Sequence, residues 1–494
     1  MKKNKNILLL ILLAFSLLIS CRDAPLPLPE PEKEQEQEKP DVDKADKLTQ
    51  EINKFIKAVM EDAYLWNDKM PKINILREKD PKAYFKKLLY EEDKWSYVTD
   101  DVGALEKSFE GEETSFGYSL AFGRFSNTGN VFAIVEYVYP GTPAAEAGLK
   151  RGDIIVLMNG KDITDKNYLD LLNAGSLSIN LGVLGEDGIS TNRTPIRMIA
   201  RELVLDPVLI TKVIEHEGRK IGYLFYAQYI HNFNTSLDTA FSYLKDKGIT
   251  DLVLDLRYNP GGDTYAAQHL CSSVAPLSAV NDQKQLVSFQ WNKDYQAYWE
   301  YENDTEQLGI WFNNTTPVKM DFDKMYILTG PGTASASELT ITGLNPYMDI
   351  RTIGESTYGK YTASVTFKPE DLLKTLYNNN PSEYKDFKNW GIQPIVLRYA
   401  NSLGVTDFKD GFFPDIPVEE DIFDGIPLGD EQDPLLAAAI EDITGVPVIA
   451  MKKARIPVSY TIFDRGFSKF DANKRELPLG KPDKEKFFRK EVVN

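Results

Sequence analysis

The stretch Met325-Tyr326-Ile327-Leu328-Thr329-Gly330-Pro331-Gly332-Thr333-Ala334-Ser335-Ala336-Ser337-Glu338-Leu339 decides how this chain is read. Its first five residues are apolar or β-branched and run into Gly-Pro-Gly, which predicts a buried strand that stops abruptly. A helix is expected to follow, continuing through Leu339 to Leu344. Ser335 and Glu338 have the spacing of a capping box, in which the serine oxygen and the glutamate each accept from a backbone N–H at the helix start. The same position also suits a nucleophile: the first N–H groups of the helix would face a developing oxyanion, and the helix dipole would favour its charge. Ala334 and Ala336 leave space for a substrate backbone. On this stretch alone, capping is the simpler reading.

Neighbouring segments supply the rest of an α/β pattern. Ile221 to Phe225 and Leu252-Val253-Leu254-Asp255-Leu256 read as buried strands, and residues 234–247 as a helix with Leu237, Phe241 and Leu244 on one face. Strands alternating with helices predict a mainly parallel or mixed sheet, with its chemistry in loops beyond the strand ends. One such loop is Arg257-Tyr258-Asn259-Pro260-Gly261-Gly262; another, after Ile350 to Ile353, is Gly354-Glu355-Ser356-Thr357-Tyr358-Gly359-Lys360. A serine nucleophile needs a base. The three histidines, His216, His231 and His269, stand in no triad motif, and neither a Gly-x-Ser-x-Gly elbow nor a His-Glu-x-x-His helix occurs. A lysine whose pKa is lowered by burial can activate serine instead. Lys360 is the candidate, with Gly359 free to turn the backbone and aim it inward.

From about Thr114 to Asp206 the pattern changes to short β-runs. Phe116-Gly117-Tyr118-Ser119 is a small-residue turn entering a strand. Tyr139-Pro140-Gly141-Thr142-Pro143-Ala144-Ala145-Glu146-Ala147-Gly148-Leu149-Lys150-Arg151-Gly152-Asp153-Ile154-Ile155-Val156-Leu157-Met158-Asn159-Gly160 predicts a short helix closed by Gly148, a tight turn, a strand and an Asn-Gly hairpin. This run resembles the signature of PDZ domains. Such domains add an extended peptide to a sheet edge and hold its terminal carboxylate with backbone N–H groups. By position the holding loop is Phe116, Gly117 and Tyr118; the plainer alternative is a β-domain that only packs against its neighbours.

Asp255-Leu256-Arg257-x-Asn259-Pro260-Gly261-Gly262, Thr333 to Glu338 and Gly354-Glu355-x-x-x-Gly359-Lys360 together resemble the carboxyl-terminal processing (tail-specific) serine proteases, as does the 335-to-360 spacing. Gly411 to Ile416 resembles a further family segment. Tyr64-Leu65-Trp66 and Asp93-Lys94-Trp95-Ser96 resemble the version with a helical cap found in bacterial lipoproteins. The resemblance implies that Ser335 is the nucleophile and Lys360 the general base. Ala336 and either Gly261 or Gly262 would supply oxyanion-hole N–H groups. Glu338 would orient the lysine or cap the helix, and Asp255 and Arg257 would brace the glycine turn. Where some relatives carry an aspartate eleven residues after the serine, this chain has Pro346, with Asp349 nearby. No metal or organic cofactor is implied.

The remaining sequence sets the context. Lys2, Lys3 and Lys5 precede the apolar run Ile7 to Ile19, and Leu18-Ile19-Ser20-Cys21 resembles a lipobox, which would make Cys21 a lipidated amino terminus. Residues 22–44, rich in Pro, Glu, Gln and Lys, read as a tether with too little to bury. With 57 Lys+Arg against 74 Asp+Glu and no basic run, general nucleic-acid binding is disfavoured. Two cysteines exclude a disulfide framework, and Cys271 reads as a small buried hydrophobe. A composition ordinary for globular proteins excludes a wholly disordered chain, a collagen-like fibre and a polytopic membrane protein.

The expectation is a multidomain α+β chain. It comprises a signal peptide (1–20), a tether (21–45), a helical N-terminal cap (46–105) and a PDZ-like domain (106–207). An α/β serine protease domain follows (208–425), with a mixed sheet flanked by helices. A C-terminal extension (426–494), with a helix at Leu435 to Ile443 and a strand at Ile456 to Ile462, is expected to pack on the protease domain. The expected partners are protein or peptide substrates bound by their C-termini, and a membrane through the lipid. The rival is a non-catalytic peptide-binding lipoprotein that retains the protease fold.

Overall fold

The computed structural model describes residues 44–448, 459–465 and 484–488, apart from 173, 186, 187 and 193. The signal peptide, Cys21 and nearly all of the tether lie outside the described residues.

The N-terminal cap is built on helix Lys47–Ala63, whose first turn is capped by the Asp46 carboxylate accepting from Thr49 N–H. Ile52, Phe55, Ile56 and Val59 form its buried stripe. Helix Pro81–Leu88 begins with proline after the Asp80 cap and buries Tyr84 and Phe85 against the first helix. Trp95 packs edge-on against Tyr361, ring centroids 6.0 Å apart, so the cap reaches the residue following Lys360.

The PDZ segment is an antiparallel sheet with its own core, including Phe122, Val135, Ile155 and Ile179. Strand Tyr118–Phe125 pairs with Val131–Val138, which pairs with Ile154–Met158, which in turn pairs with Ser176–Gly185. Thr142 caps the short helix Pro143–Glu146, and Asn159 and Gly160 turn with positive φ, as a tight hairpin of that composition requires.

The protease segment centres on a six-stranded mixed sheet in the order Val208–His216, Arg219–Tyr226, Asp251–Asp255, Lys324–Thr329, Asp349–Gly354, Ile416–Pro417. Only the first pair is antiparallel. Side chains alternate across it: Leu252 and Leu254 join the core under helices Asn234–Asp246, Thr264–Val274 and Ala336–Leu344, while Val253 joins the core under helix Pro434–Thr444. Cys271 is a buried free thiol, pushed up by that burial to about 12. The C-terminal extension divides. Its helix covers the protease sheet, but its strand, Tyr460–Arg465, pairs antiparallel with Tyr118–Phe125 at the outer edge of the PDZ sheet.

A buried ionic network joins these parts. Arg257, 1% exposed, meets Asp255 at 2.9 Å, Asp433 at 2.7 Å and Glu420 at 3.0 Å. Arg151, from the PDZ segment, reaches Glu420 at 2.7 Å, and Tyr258 donates to the same carboxylate at 2.5 Å. Burial alone would raise the Glu420 pKa; Arg151, Arg257 and Tyr258 outweigh it and hold the group at about 2. Removing the central cation leaves buried carboxylates uncompensated. Arg257→Met is therefore expected to cost about 3–5 kcal/mol, read as a lower urea midpoint; a loss below about 1 kcal/mol would show the network to be dispensable.

Candidate active site

Three loops converge because the strands that feed them are parallel neighbours. Lys324–Thr329 and Asp349–Gly354 run in register from Lys324 opposite Asp349 to Thr329 opposite Gly354, and Asp255 lies opposite Leu328. The loops bearing Gly261-Gly262, Ser335 and Lys360 thus leave the same end of the sheet, the carboxyl ends of these strands. Asp349 starts its strand at the opposite end, facing Lys324, and is not part of this cluster. The carboxylate that stands there is Glu338.

Ser335 is fully buried and has φ 62 and ψ −112, a conformation that non-glycine residues rarely adopt. Holding it costs on the order of 1–3 kcal/mol, which the surrounding bonds must offset. Ser335 and Glu338 have the arrangement of a capping box, and the glutamate half is a hydrogen bond from Ser335 N–H to Glu338 Oε2 at 2.8 Å. The Ser335 hydroxyl itself makes no hydrogen bond among the described residues. Capping therefore accounts for the glutamate and not for the serine side chain.

Glu338 does more than close the helix. Its Oε2 also accepts from Lys360 N–H at 2.8 Å, while Oε1 accepts from Gly359 N–H at 2.6 Å and Thr357 Oγ1 at 2.7 Å. One carboxylate therefore binds the serine turn to the lysine turn. Burial pushes it up to about 7 even though these hydrogen bonds favour its ionised form. Tyr399 forms a second tie, its hydroxyl lying 3.2 Å from Ser335 O and 3.0 Å from Lys360 O. Gly359 has φ 94, and a Cβ there would run into the carbonyl of Lys409, so only glycine fits before the lysine. The Lys360 side chain is fully buried.

Asn259 sets the glycine turn. Its side chain donates to Tyr226 O at 2.8 Å and accepts from Gly261 N–H at 2.8 Å, while its carbonyl receives Ala334 N–H at 3.1 Å. Gly261 lies against the serine: a Cβ on it would be 2.7 Å from Ser335 Cβ and 2.8 Å from Ala336 N. Its N–H is committed to Asn259. The Gly262 and Ala336 N–H groups donate to nothing among the described residues. Asp255 and Arg257 sit in the ionic network behind this turn, as braces.

The Phe116-Gly117-Tyr118 turn belongs to the PDZ sheet rather than to this cluster. Gly117 has φ 79, and the Phe116 and Gly117 carbonyls are tied to Ala144 and Tyr139 N–H, each at 2.9 Å. Sequence reading missed Thr357, Tyr399 and Asn259 as parts of the site. Asn259 had a visible signal, since an asparagine two residues before the first of two glycines forms a side-chain turn. Tyr399 had none, because it arrives from a separate four-stranded sheet.

Residues 220–416 match Peptidase family S41, residues 51–97 the Peptidase S41 N-terminal domain, and residues 134–183 a PDZ domain. The chain thus carries an S41 protease domain. It is 24% identical over 371 residues to the carboxyl-terminal-processing protease of Synechocystis, covering 73% of this chain and 76% of that one. To the chloroplastic C-terminal processing peptidase of Tetradesmus obliquus it is 23% identical, covering 65% and 63%. A crystal structure of a Bacteroides fragilis protein assigned to the S41 proteases superposes with a TM-score of 0.62 and 28% identity, over 79% of this chain and 97% of that one. The chain is thus a serine-type peptidase with a PDZ domain, similar to the S41 peptidases.

The position of Glu338 in this candidate site yields a pH prediction. Its folded pKa, about 7, lies above the ordinary 4.5, so protonation favours the folded state and that contribution disappears as pH rises through 7. Only the ionised carboxylate accepts all its donors at once, so stability and site order oppose each other in this window. Wild-type kcat/KM should rise through pH 7. Glu338→Gln should lose that inflection and at least about tenfold in kcat; a profile unchanged by the substitution would exclude the linkage.

Proposed function

We propose that this peptidase is an envelope endopeptidase that captures protein C-termini through its PDZ domain and cleaves them with a Ser335/Lys360 dyad. One observation carries the reading: a buried serine hydroxyl without a partner among the described residues, on a strained strand-to-helix turn, has its backbone bound through one carboxylate to the turn of a buried lysine. A lysine acts as a base only when neutral, and burial disfavours the ammonium. Lys360 takes the hydroxyl proton as Ser335 Oγ attacks the scissile carbonyl, then returns it to the leaving amine. Water, activated by the same amine, releases the acyl group.

The oxyanion is received by the N–H groups of Ala336 and Gly262. Gly262 is favoured over Gly261 because the Gly261 N–H already serves Asn259. Glu338 and Tyr399 are positioning residues. The Phe116-Gly117-Tyr118 turn takes the substrate carboxylate. The basic start, the apolar run and Cys21 support a lipid anchor in the bacterial envelope, and no helix among the described residues is long and apolar enough to cross a membrane.

Ser335→Ala and Lys360→Ala should each lower cleavage of an unstructured protein such as casein by at least about 10³-fold, with unchanged circular dichroism. A serine-reactive phosphonate should label the wild type at Ser335 alone. Undiminished proteolysis in either variant rejects the dyad, and absence of labelling favours the non-catalytic binding protein. Cys21→Ser should move the protein from the membrane to the soluble fraction on cell fractionation; retention in the membrane rejects the anchor.

A further inference from the structure

The outer edge of the PDZ sheet is occupied by the chain itself. Tyr460–Arg465 lies antiparallel to Tyr118–Phe125, with Tyr460 opposite Phe125 and Arg465 opposite Ala121. Its carboxyl end therefore points toward the Phe116-Gly117-Tyr118 turn. An extended peptide added to this edge with its terminus in that turn would run in the same direction.

The side chains are seated as a ligand's would be. Phe463 meets Tyr168 of the short helix Tyr168–Leu172 edge-on, ring centroids 5.8 Å apart, and also lies against Arg124. Arg465 pairs with Glu136, a fully buried carboxylate whose other described side-chain partner is the Ser119 hydroxyl at 2.7 Å. The same segment also walls a cavity of about 770 Å³. Tyr460 and Arg465 line one side, and Pro331 and Glu355, from the loops that carry Ser335 and Lys360, line another. Ser335 and Lys360 are both buried in this state.

We propose that Tyr460–Arg465 is a built-in ligand of the PDZ groove, which a substrate must displace. The displacing strand is an extended C-terminal segment that sets an aromatic or aliphatic side chain on Tyr168 and a lysine or arginine on Glu136. This rests on the proposed reading of Phe116-Gly117-Tyr118 as the carboxylate-holding turn. With Arg465 opposite Ala121, such a strand needs three residues beyond its basic side chain to come level with Tyr118.

The probe is a fluorescent decapeptide with the sequence of residues 459–468 and a free carboxylate, titrated into the full-length wild type and Phe463→Asp. Because a groove already filled by its own strand lowers apparent affinity by the fraction left open, the variant should bind at least about tenfold more tightly. Replacing the peptide's arginine with glutamate should abolish that binding. In the wild type, saturating peptide should expose the amides of residues 460–465 to hydrogen exchange, a measurement that decides the matter even if Phe463→Asp does not fold. Equal affinity for both proteins, with exchange of 460–465 unchanged by bound peptide, overturns the built-in ligand and leaves the groove standing as a substrate site. Failure of the peptide to bind either protein, with casein cleavage intact, overturns the groove reading and the built-in ligand with it.

Discussion

The site depends on one buried carboxylate. A charged group without water is costly unless its lone pairs are met, and Glu338 meets them with donors drawn from two loops: Ser335, Thr357, Gly359 and Lys360. No single loop can satisfy it. The low-cost state is therefore the one in which both turns are in place together. Much of the local structure follows from that demand. The positive φ of Ser335 brings its N–H to Glu338, the glycine at 359 permits the turn that brings two more, and Tyr399 fixes the carbonyls on the far side.

Behind the glycine turn, a second set of buried charges performs the same service over a longer range. Arg257 draws together Asp255 from the central strand, Glu420 from the segment after the last strand, and Asp433 at the start of the C-terminal helix. Arg151 ties the PDZ segment to Glu420. A network of this kind adds little net stability over apolar packing, but breaking it is expensive, and its value lies in specifying one arrangement. The arrangement specified here is the position of the Gly261-Gly262 turn against Ser335.

The parts legible in the sequence were those with local signals. The PDZ hairpin, the buried strands and the Ser335 and Lys360 turns each carry glycines or periodicity within a few residues. The capping box was legible too, but the role of Glu338 toward Lys360 came only from the family resemblance, since that contact depends on strand register between segments 22 residues apart. Tyr399 and Asp433 were invisible for the same reason. The tail strand was foreseen at about the right place, yet its partner was not. Pairing is decided by which edge is open, and nothing local to residues 456–465 says that the open edge belongs to the PDZ sheet rather than the protease sheet.

That open edge has a physical logic of its own. A strand that presents unpaired N–H and C=O groups invites any extended chain to add to it, which is a hazard in a protein proposed to act on extended chains. Covering the edge with the chain's own strand satisfies those groups while Arg465 neutralises Glu136, which would otherwise be a buried charge facing an empty groove. Arg465 also lies over the Tyr258 ring, at 5.5 Å, and Tyr258 donates to Glu420 in the network that braces the glycine turn. The groove occupant and the proposed oxyanion hole are thus linked through contiguous contacts, Arg465 to Tyr258 to Glu420 to Arg257. Exchanging one strand for another at the PDZ edge must disturb the first member of that series, so the residue that replaces Arg465 sets whether the glycine turn keeps its brace.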